Sequence, residues 1–263
     1  MRVAVAGKGG VGKTTISASL ARLEARRGRR VVAIDGDSNP NLAVALGVDP
    51  ALLDGGSRPT AFLPPTIVSR RIDGPALRVG VDDVVAEHSV RGPDGVRLVM
   101  MGAPAHAEEG CMCSAHATVS ALLTDLANQP ETLTVVDMEA SPEHLSRGTT
   151  RSADVLLLVT EPYYRSLETV RRLASLASEL PIPRVGVVVN KVRSAADAEA
   201  TAEFCERHGL ERIAEVPWSG AVVDADVARV PLIDAAPDGP TVAAIARLAQ
   251  RLEEAPYRAP GGA

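Results

Sequence analysis

The residue types that most directly indicate chemistry form a glycine-rich loop near the start of the chain. Residues 7–15 read Gly-Lys-Gly-Gly-Val-Gly-Lys-Thr-Thr, between an apolar run and a stretch with helical periodicity. This is the GxxxxGK[ST] pattern of a phosphate-binding loop, here called the P-loop, in the context that the pattern requires. Its glycines let backbone N–H groups approach phosphates closely, and the start of the helix adds partial positive charge. We expect Lys13 to reach the β and γ phosphates and the Thr14 hydroxyl to bind Mg²⁺. The predicted nucleotide-binding residues of the loop are Gly7, Lys8, Gly9, Gly10, Val11, Gly12, Lys13, Thr14 and Thr15.

A second lysine, Lys8, stands early in the P-loop. In this respect the segment resembles the deviant Walker A ATPases. The resemblance implies that Lys8 reaches across a homodimer interface to the partner's ATP and takes part in catalysis together with Lys13. A solvated lysine beside the phosphates is the ordinary alternative.

Acidic residues follow two of the predicted strands, where side chains lie beside the phosphate loop of a parallel sheet. Asp35 and Asp37 come after the second strand, and Asp137 ends a later one. The same resemblance implies that Asp37 orients the attacking water and contacts Mg²⁺, and that Asp137 is the Walker B aspartate that holds Mg²⁺. Surface caps would also explain carboxylates at these positions.

Asn190-Lys191 ends another apolar strand, and Pro217 lies in the loop Glu-Val-Pro-Trp after the next one. In related ATPases an asparagine at this place hydrogen-bonds the base and such a loop helps to enclose it. The resemblance therefore adds Asn190, Lys191 and Pro217 to the predicted nucleotide site, although a simple strand-end turn explains Asn190 almost as well.

Two of the three cysteines form a Cys-x-Cys pair, Cys111 and Cys113. Thiolates bind soft or borderline metals, but two sulfurs are too few for a closed tetrahedral or square-planar site. A two-fold axis beside the loop would bring four sulfurs together, so a metal site and a dimer form one hypothesis. Taken alone, the pair is equally compatible with an inert core.

The surroundings of the cysteine pair are similar to the CooC family of nickel-insertion ATPases. The similarity covers Glu-Gly-Cys-Met-Cys at 109–113, Ala-Ile-Asp-Gly-Asp-Ser-Asn-Pro-Asn-Leu at 33–42, residues 136–149 and the P-loop. It implies an ATP-hydrolysing metallochaperone whose homodimer binds Ni²⁺, or Zn²⁺, through Cys111 and Cys113 of both protomers. ATP and ADP would control the dimer, and the client would be a nickel metalloenzyme such as carbon monoxide dehydrogenase.

Two other functions stay open at this point. An iron–sulfur ATPase like the nitrogenase iron protein takes a second cysteine seven residues after the Walker B aspartate, where this chain has His144. A MinD/ParA-like positioning ATPase would need a basic surface for DNA or a basic amphipathic tail for membranes. The last predicted helix ends instead in Leu-Glu-Glu-Ala-Pro.

Composition limits the partners. The net charge is -5 and aromatic residues make up 2% of the chain, which argues against a nucleic-acid groove or a base-stacking surface. No apolar run approaches the ~18 residues of a membrane span, and the chain begins directly with a predicted strand. We therefore expect a cytoplasmic protein that binds neither nucleic acid nor membrane.

The elements that must position these residues alternate between short β-branched runs and helical patterns. This alternation predicts an α/β protein with a mostly parallel central sheet and helices on both faces, the three-layer P-loop NTPase fold. We expect one domain over 1–255, a loop-rich insertion at 48–75, an antiparallel excursion at 77–101 with its turn at 92–95, and a flexible tail at 256–263. The predicted strands are 3–6, 31–34, 98–101, 133–136, 155–159, 185–189 and 212–216.

Overall fold

The computed structural model describes residues 1–37, 39–53, 62–64, 67–71, 74–101, 113–138 and 149–254. At 69–71, 74, 75, 113–115 and 149 the description is of the backbone. No helix in these ranges combines the length and the apolar character needed to cross a bilayer.

A mixed sheet forms the centre of the fold, and its nine strands in the described ranges are mostly parallel. The order is β11-β10-β9-β1-β8-β2-β7-β3, with β6 antiparallel to β7. The strands are β1 (Arg2–Gly7), β2 (Arg30–Gly36), β3 (Phe62–Leu63), β6 (Val90–Arg91), β7 (Arg97–Met101), β8 (Thr132–Met138), β9 (Val155–Thr160), β10 (Arg184–Val192) and β11 (Arg212–Pro217). Each of the seven predicted strands lies within one of them.

Helices cover both faces of the sheet, because its strands are apolar on both sides. In β1, Val3 and Val5 pack in a core with α1 (Lys13–Arg26) and α9 (Pro240–Glu254). Ala4 and Ala6 face a second core with α4 (Cys113–Leu126) and α5 (Tyr164–Ala177). The predicted three-layer architecture is therefore confirmed. The other helices are α2 (Leu42–Leu46), α3 (Val81–Glu87), α6 (Ala195–Arg207), α7 (Gly220–Ala228) and α8 (Leu232–Ala235).

The region between α2 and β7 contains more regular structure than its sequence indicates. The antiparallel excursion is confirmed, since β6 and β7 pair across the turn at 92–95. In the predicted insertion, β3 joins the main sheet parallel to β7, and β4 (Val68–Arg71) pairs antiparallel with β5 (Gly74–Leu77). The single-domain boundary and the flexible tail stay predictions.

A cluster of four charges fastens α1 to two distant segments. Arg22 is almost fully buried and donates to Asp94, in the turn before β7, at 2.7 Å and to both oxygens of Asp234 in α8. Arg26, one turn further along α1, donates to the same two carboxylates. The helix that follows the P-loop is thereby fixed to the turn before β7 and to α8.

Candidate nucleotide site

The P-loop connects β1 to α1 in a conformation that needs glycine. Gly10 and Gly12 have φ values of 82° and 95°, in the left-handed region. A side chain on Gly7 would meet the carbonyl oxygen of Val159 at 2.3 Å. Gly12 is the N-cap of α1, no side chain caps this helix, and its first turn holds no acidic residue. The first N–H groups of α1 are therefore available to an anion.

The two lysines of the P-loop lie in different surroundings. Lys13 is buried to 8% exposure, and its ammonium lies 3.4 Å from the carbonyl oxygen of Lys8. A buried cation with a carbonyl beside it is well suited to a phosphate, which would supply the missing negative charge. The side chain of Lys8 is exposed.

Two buried carboxylates face each other below the P-loop. Asp35 on β2 and Asp137 on β8 are partners in the sheet register, and both are at most 2% exposed. Burial raises the pKa of Asp137 to about 7; a hydrogen bond from Thr14 and the charge of Lys13 oppose this rise, and the charge of Asp35 adds to it. Burial also raises the pKa of Asp35 to about 6.

The oxygen atoms around Asp35 and Asp137 suit the binding of Mg²⁺. Besides Thr14, the Ser17 hydroxyl donates to Asp137 Oδ1 at 3.4 Å. Carboxylate and hydroxyl oxygens are the hard ligands that Mg²⁺ prefers, and a cation here would relieve the cost of burying two carboxylates. The residues present therefore fit the ion expected with the nucleotide.

Asp35 also organises the segment that carries Asp37. Its carboxylate accepts hydrogen bonds from the N–H groups of Asp37 at 3.2 Å and Leu42 at 2.8 Å. The Asp37 carboxylate in turn accepts from the N–H of Asn39 at 2.9 Å. Asp37 is half-buried at the end of β2, on the same sheet edge as the P-loop and Asp137.

A cavity of about 690 Å³ extends from the P-loop toward the end of β11. Asn190, Lys191, Pro217 and Trp218 line it. The assignment of the first three to the nucleotide site stays a prediction. The Arg193 guanidinium lies over the Trp218 ring, 4.7 Å from its centroid. The cavity follows the carboxyl ends of several parallel strands, where ligands bind in sheets of this type.

Comparison with known proteins shows which family this chain belongs to. A model of the CobQ/CobB/MinD/ParA nucleotide-binding domain matches residues 3–233. The chain belongs to this nucleotide-binding family. Its membership confirms the predicted ATP-hydrolysing P-loop enzyme and the fold class.

Relatives within the family also confirm the resemblance to CooC. The carbon monoxide dehydrogenase accessory protein CooC of Rhodospirillum rubrum is 35% identical over 90% of this chain and 91% of its own length. An uncharacterized ATP-binding protein of Methanocaldococcus jannaschii is 34% identical over 88% of this chain and 91% of its own. The MinD cell division protein of Aquifex aeolicus shares the fold with a TM-score of 0.69 at 21% identity, covering 97% and 98% of the two chains.

Only one of the two cysteines predicted to bind metal lies within the described residues. Cys111 lies outside the described residues, and Cys113 is the first residue of α4. Within the described part of the chain, no three His, Cys, Asp or Glu side chains converge on a common metal position. The cysteine site therefore stays a prediction.

Two residues at the site were missed by the sequence reasoning. Ser17 lies one turn after Thr14 on α1, so helical spacing places both hydroxyls on one face. Glu161 directly follows β9 and forms an ion pair with Lys191. Glu161 stands at the carboxyl end of a parallel strand, as Asp37 and Asn190 do. The rule that selected those two residues could therefore have found it as well.

Proposed function

We propose that this protein is an ATP-dependent metallochaperone that works as a homodimer and delivers Ni²⁺ to a metalloenzyme such as carbon monoxide dehydrogenase. In this proposal Cys111 and Cys113 of two protomers hold one ion, Ni²⁺ or Zn²⁺. The similarity to CooC of Rhodospirillum rubrum along nine-tenths of the chain supports the assignment.

The observation that carries the proposal is where α4 begins relative to the central sheet. Because β7 and β8 run parallel to β2, the helix between them must begin at the edge where the P-loop lies. Cys113, the first residue of α4, is therefore on the nucleotide side of the fold. Strand β7 is three strands from β1, about 14 Å at the usual strand spacing. A change in nucleotide state at the P-loop would therefore have only a short distance to travel to β7 and the start of α4.

The homodimer is supported by an apolar rim around the nucleotide cavity. Of the nine large hydrophobic side chains that are exposed in the described ranges, five line this cavity: Val44, Tyr163, Trp218, Val223 and Val230. A concentrated apolar surface of this kind is typical of an interaction site. Lys8 is exposed on the same side, as the proposed contact with the partner's ATP requires.

Hydrolysis is assigned to the residues around the P-loop. The N–H groups of α1 and the ammonium of Lys13 bind the phosphates, and they stabilise the charge that develops as the γ-phosphate leaves. Asp37 orients the attacking water, and the proton of that water ends on the released phosphate. Thr14 and Asp137 would hold Mg²⁺, which would supply further charge neutralisation.

Metal binding is tested with a cysteine double variant. Equilibrium dialysis against Ni²⁺, without and with ATP, should give one ion per dimer for the wild type. Cys111→Ser with Cys113→Ser should bind no Ni²⁺ but keep ATP affinity, because the P-loop is untouched. Cys205→Ser, which changes a buried cysteine of α6, is the matched control. Stoichiometric Ni²⁺ in the double variant would reject these ligands, and stoichiometric iron and sulfide in the wild type would favour a cluster protein.

Dimerisation is tested separately with Lys8→Ala. Sedimentation velocity should show an ATP-dependent dimer for the wild type and a monomer for the variant. Arg207→Ala, which removes an exposed cation at the end of α6, should behave as the wild type. Dimers that persist in Lys8→Ala would rule out the proposed contact.

A further inference from the structure

The short helix α2 follows the segment that carries Asp37, and it is held at both ends. At its start, the N–H of Leu42 donates to Asp35 Oδ2 at 2.8 Å, while Asp35 Oδ1 accepts the N–H of Asp37 at 3.2 Å. At its other end, Gly47 closes the helix in the left-handed conformation, with φ 78°. Asp37 and the start of α2 therefore share one anchor, Asp35, and the far end of the helix has another.

This second anchor is a socket built by two distant parts of the chain. A Cβ on Gly47 would lie 2.6 Å from Pro231 Cγ and 3.7 Å from Pro93 Cγ. A Cβ on Gly92 would lie 3.0 Å from Val48 Cγ2. Gly92, Pro93 and Pro231 thus enclose the end of the helix and are here called the α2 socket. Position 47 needs glycine both for its backbone angle and for the space around it.

Arg22 fastens both walls of the α2 socket and the helix inside it. Its guanidinium donates to Asp94, in the turn that supplies one wall, at 2.7 Å, and to Asp234, in the helix that begins after the other wall, at 3.0 Å. It also lies 3.4 Å from the carbonyl oxygen of Leu46, the last residue of α2. Arg22 is 3% exposed, so water competes little for these bonds.

Helix α2 lies between this anchor and the nucleotide cavity. Val44 and Ala45 line the cavity, while Leu42 and Leu46 are fully buried in the core with α1. A helix of five residues is about 7.5 Å long, so we expect it to move as one piece. A shift at its carboxyl end would therefore be felt at its start, beside Asp35 and Asp37.

We propose that Arg22 is a positioning residue for ATP hydrolysis, which sets the place of Asp37 by fixing the carboxyl end of α2. Arg22 acts through this helix and touches neither the phosphates nor the attacking water. This role depends on the one proposed above for Asp37, the orientation of that water. Because the P-loop binds the phosphates, loss of Arg22 should slow hydrolysis and leave ATP affinity unchanged.

Single-turnover hydrolysis, with protein in excess over Mg·ATP, and calorimetric titration with Mg·ATP test the proposal together. Arg22→Met should lower the hydrolysis rate constant at least about tenfold, since a displacement of 1 Å can slow a reaction by about 100-fold. Its Kd for Mg·ATP should stay as in the wild type. Gly47→Ala displaces the end of α2 without removing a charge and should have the same two effects, so it provides the second test if Arg22→Met does not fold.

Arg2→Met separates positioning from a general loss of stability. Arg2 is also largely buried and pairs with Asp154, but it lies at the opposite end of β1 from the P-loop. Its loss should destabilise the fold, as the loss of Arg22 does, yet leave the hydrolysis rate constant unchanged at a temperature where all variants are folded.

Asp37→Ala distinguishes a failure of this proposal from a failure of the role given to Asp37. It should lower the hydrolysis rate constant at least about 100-fold. Wild-type hydrolysis by Asp37→Ala would refute that role, and the role of Arg22 with it. An inactive Asp37→Ala beside normal hydrolysis in the α2 socket variants would overturn the proposal for Arg22 alone. Lost ATP affinity in Arg22→Met, or an equally slow Arg2→Met, would overturn it as well, because the effect would then be a general loosening of the fold.

Discussion

The buried pair Asp35 and Asp137 should make the nucleotide-free protein less stable as the pH rises. The pKa of Asp137 is about 7 in the folded protein, against about 3.9 for an unfolded chain. The folded state therefore binds more protons than the unfolded state between these values. The stabilising contribution is complete below pH 4 and is lost as the pH rises through 7.

The size of the effect follows from the two pKa values. Between pH 5 and pH 8, the ionisation of Asp137 alone should lower the free energy of unfolding by about 2 to 3 kcal/mol. Asp35, with a pKa of about 6, adds about 1 kcal/mol over the lower part of the same range. Asp137→Asn keeps the shape of the side chain without its charge, so it should remove the larger part of the slope. At pH 8 the variant should be the more stable protein, although it has lost the proposed Mg²⁺ ligand.

Urea unfolding without nucleotide, at half-unit intervals from pH 5 to pH 8, measures this difference. Asp224→Asn, which changes an exposed carboxylate on α7, should follow the wild type and serves as the control. If the wild type and Asp137→Asn lose stability in parallel, the slope arises elsewhere and the reasoning about the buried pair is wrong.

Three further predictions concern single residues. Gly12→Ala should lower ATP affinity at least about 100-fold, measured by calorimetry, because its Cβ would meet the Asn190 amide at a left-handed backbone position. Arg22→Met should lower the free energy of unfolding by about 2 kcal/mol in urea, because it leaves two carboxylates without their buried partner, while ATP affinity is kept. The chain has one tryptophan, Trp218, in the cavity wall, so ATP should change the intrinsic fluorescence of the wild type. Trp218→Phe should abolish this signal while calorimetry still detects binding; a wild-type spectrum that ATP leaves unchanged would place the ligand away from Trp218.

Much of the fold could be predicted because its central strands are buried on both faces. Such strands read as continuous apolar runs, and each of the seven found in the sequence lies in the observed sheet. The short strands β4 and β5 could not be found in this way. Their sequences, Val-Ser-Arg-Arg and Gly-Pro-Ala-Leu, lack the apolar pattern, and proline and glycine are disfavoured inside strands.

Residues of the candidate site could be predicted where a sequence motif fixes the backbone. Contacts that depend on the direction of a side chain could not be predicted in this way. The P-loop pattern located Lys13 and Thr14, and strand ends located Asp37 and Asp137. The contact between Asn190 and the Val11 carbonyl, in contrast, brings together residues 179 positions apart. The next residue, Lys191, adopts a left-handed backbone conformation, which no sequence pattern indicates.

The position of β1 has a consequence for the synthesis of the protein. This strand lies between β8 and β9, so its hydrogen-bonding partners begin only at Thr132 and Val155. A chain emerging from the ribosome therefore carries this apolar strand without its sheet neighbours until β8 has been made. We expect such contacts of large sequence separation to delay folding, and prematurely terminated chains to be unable to retain ATP.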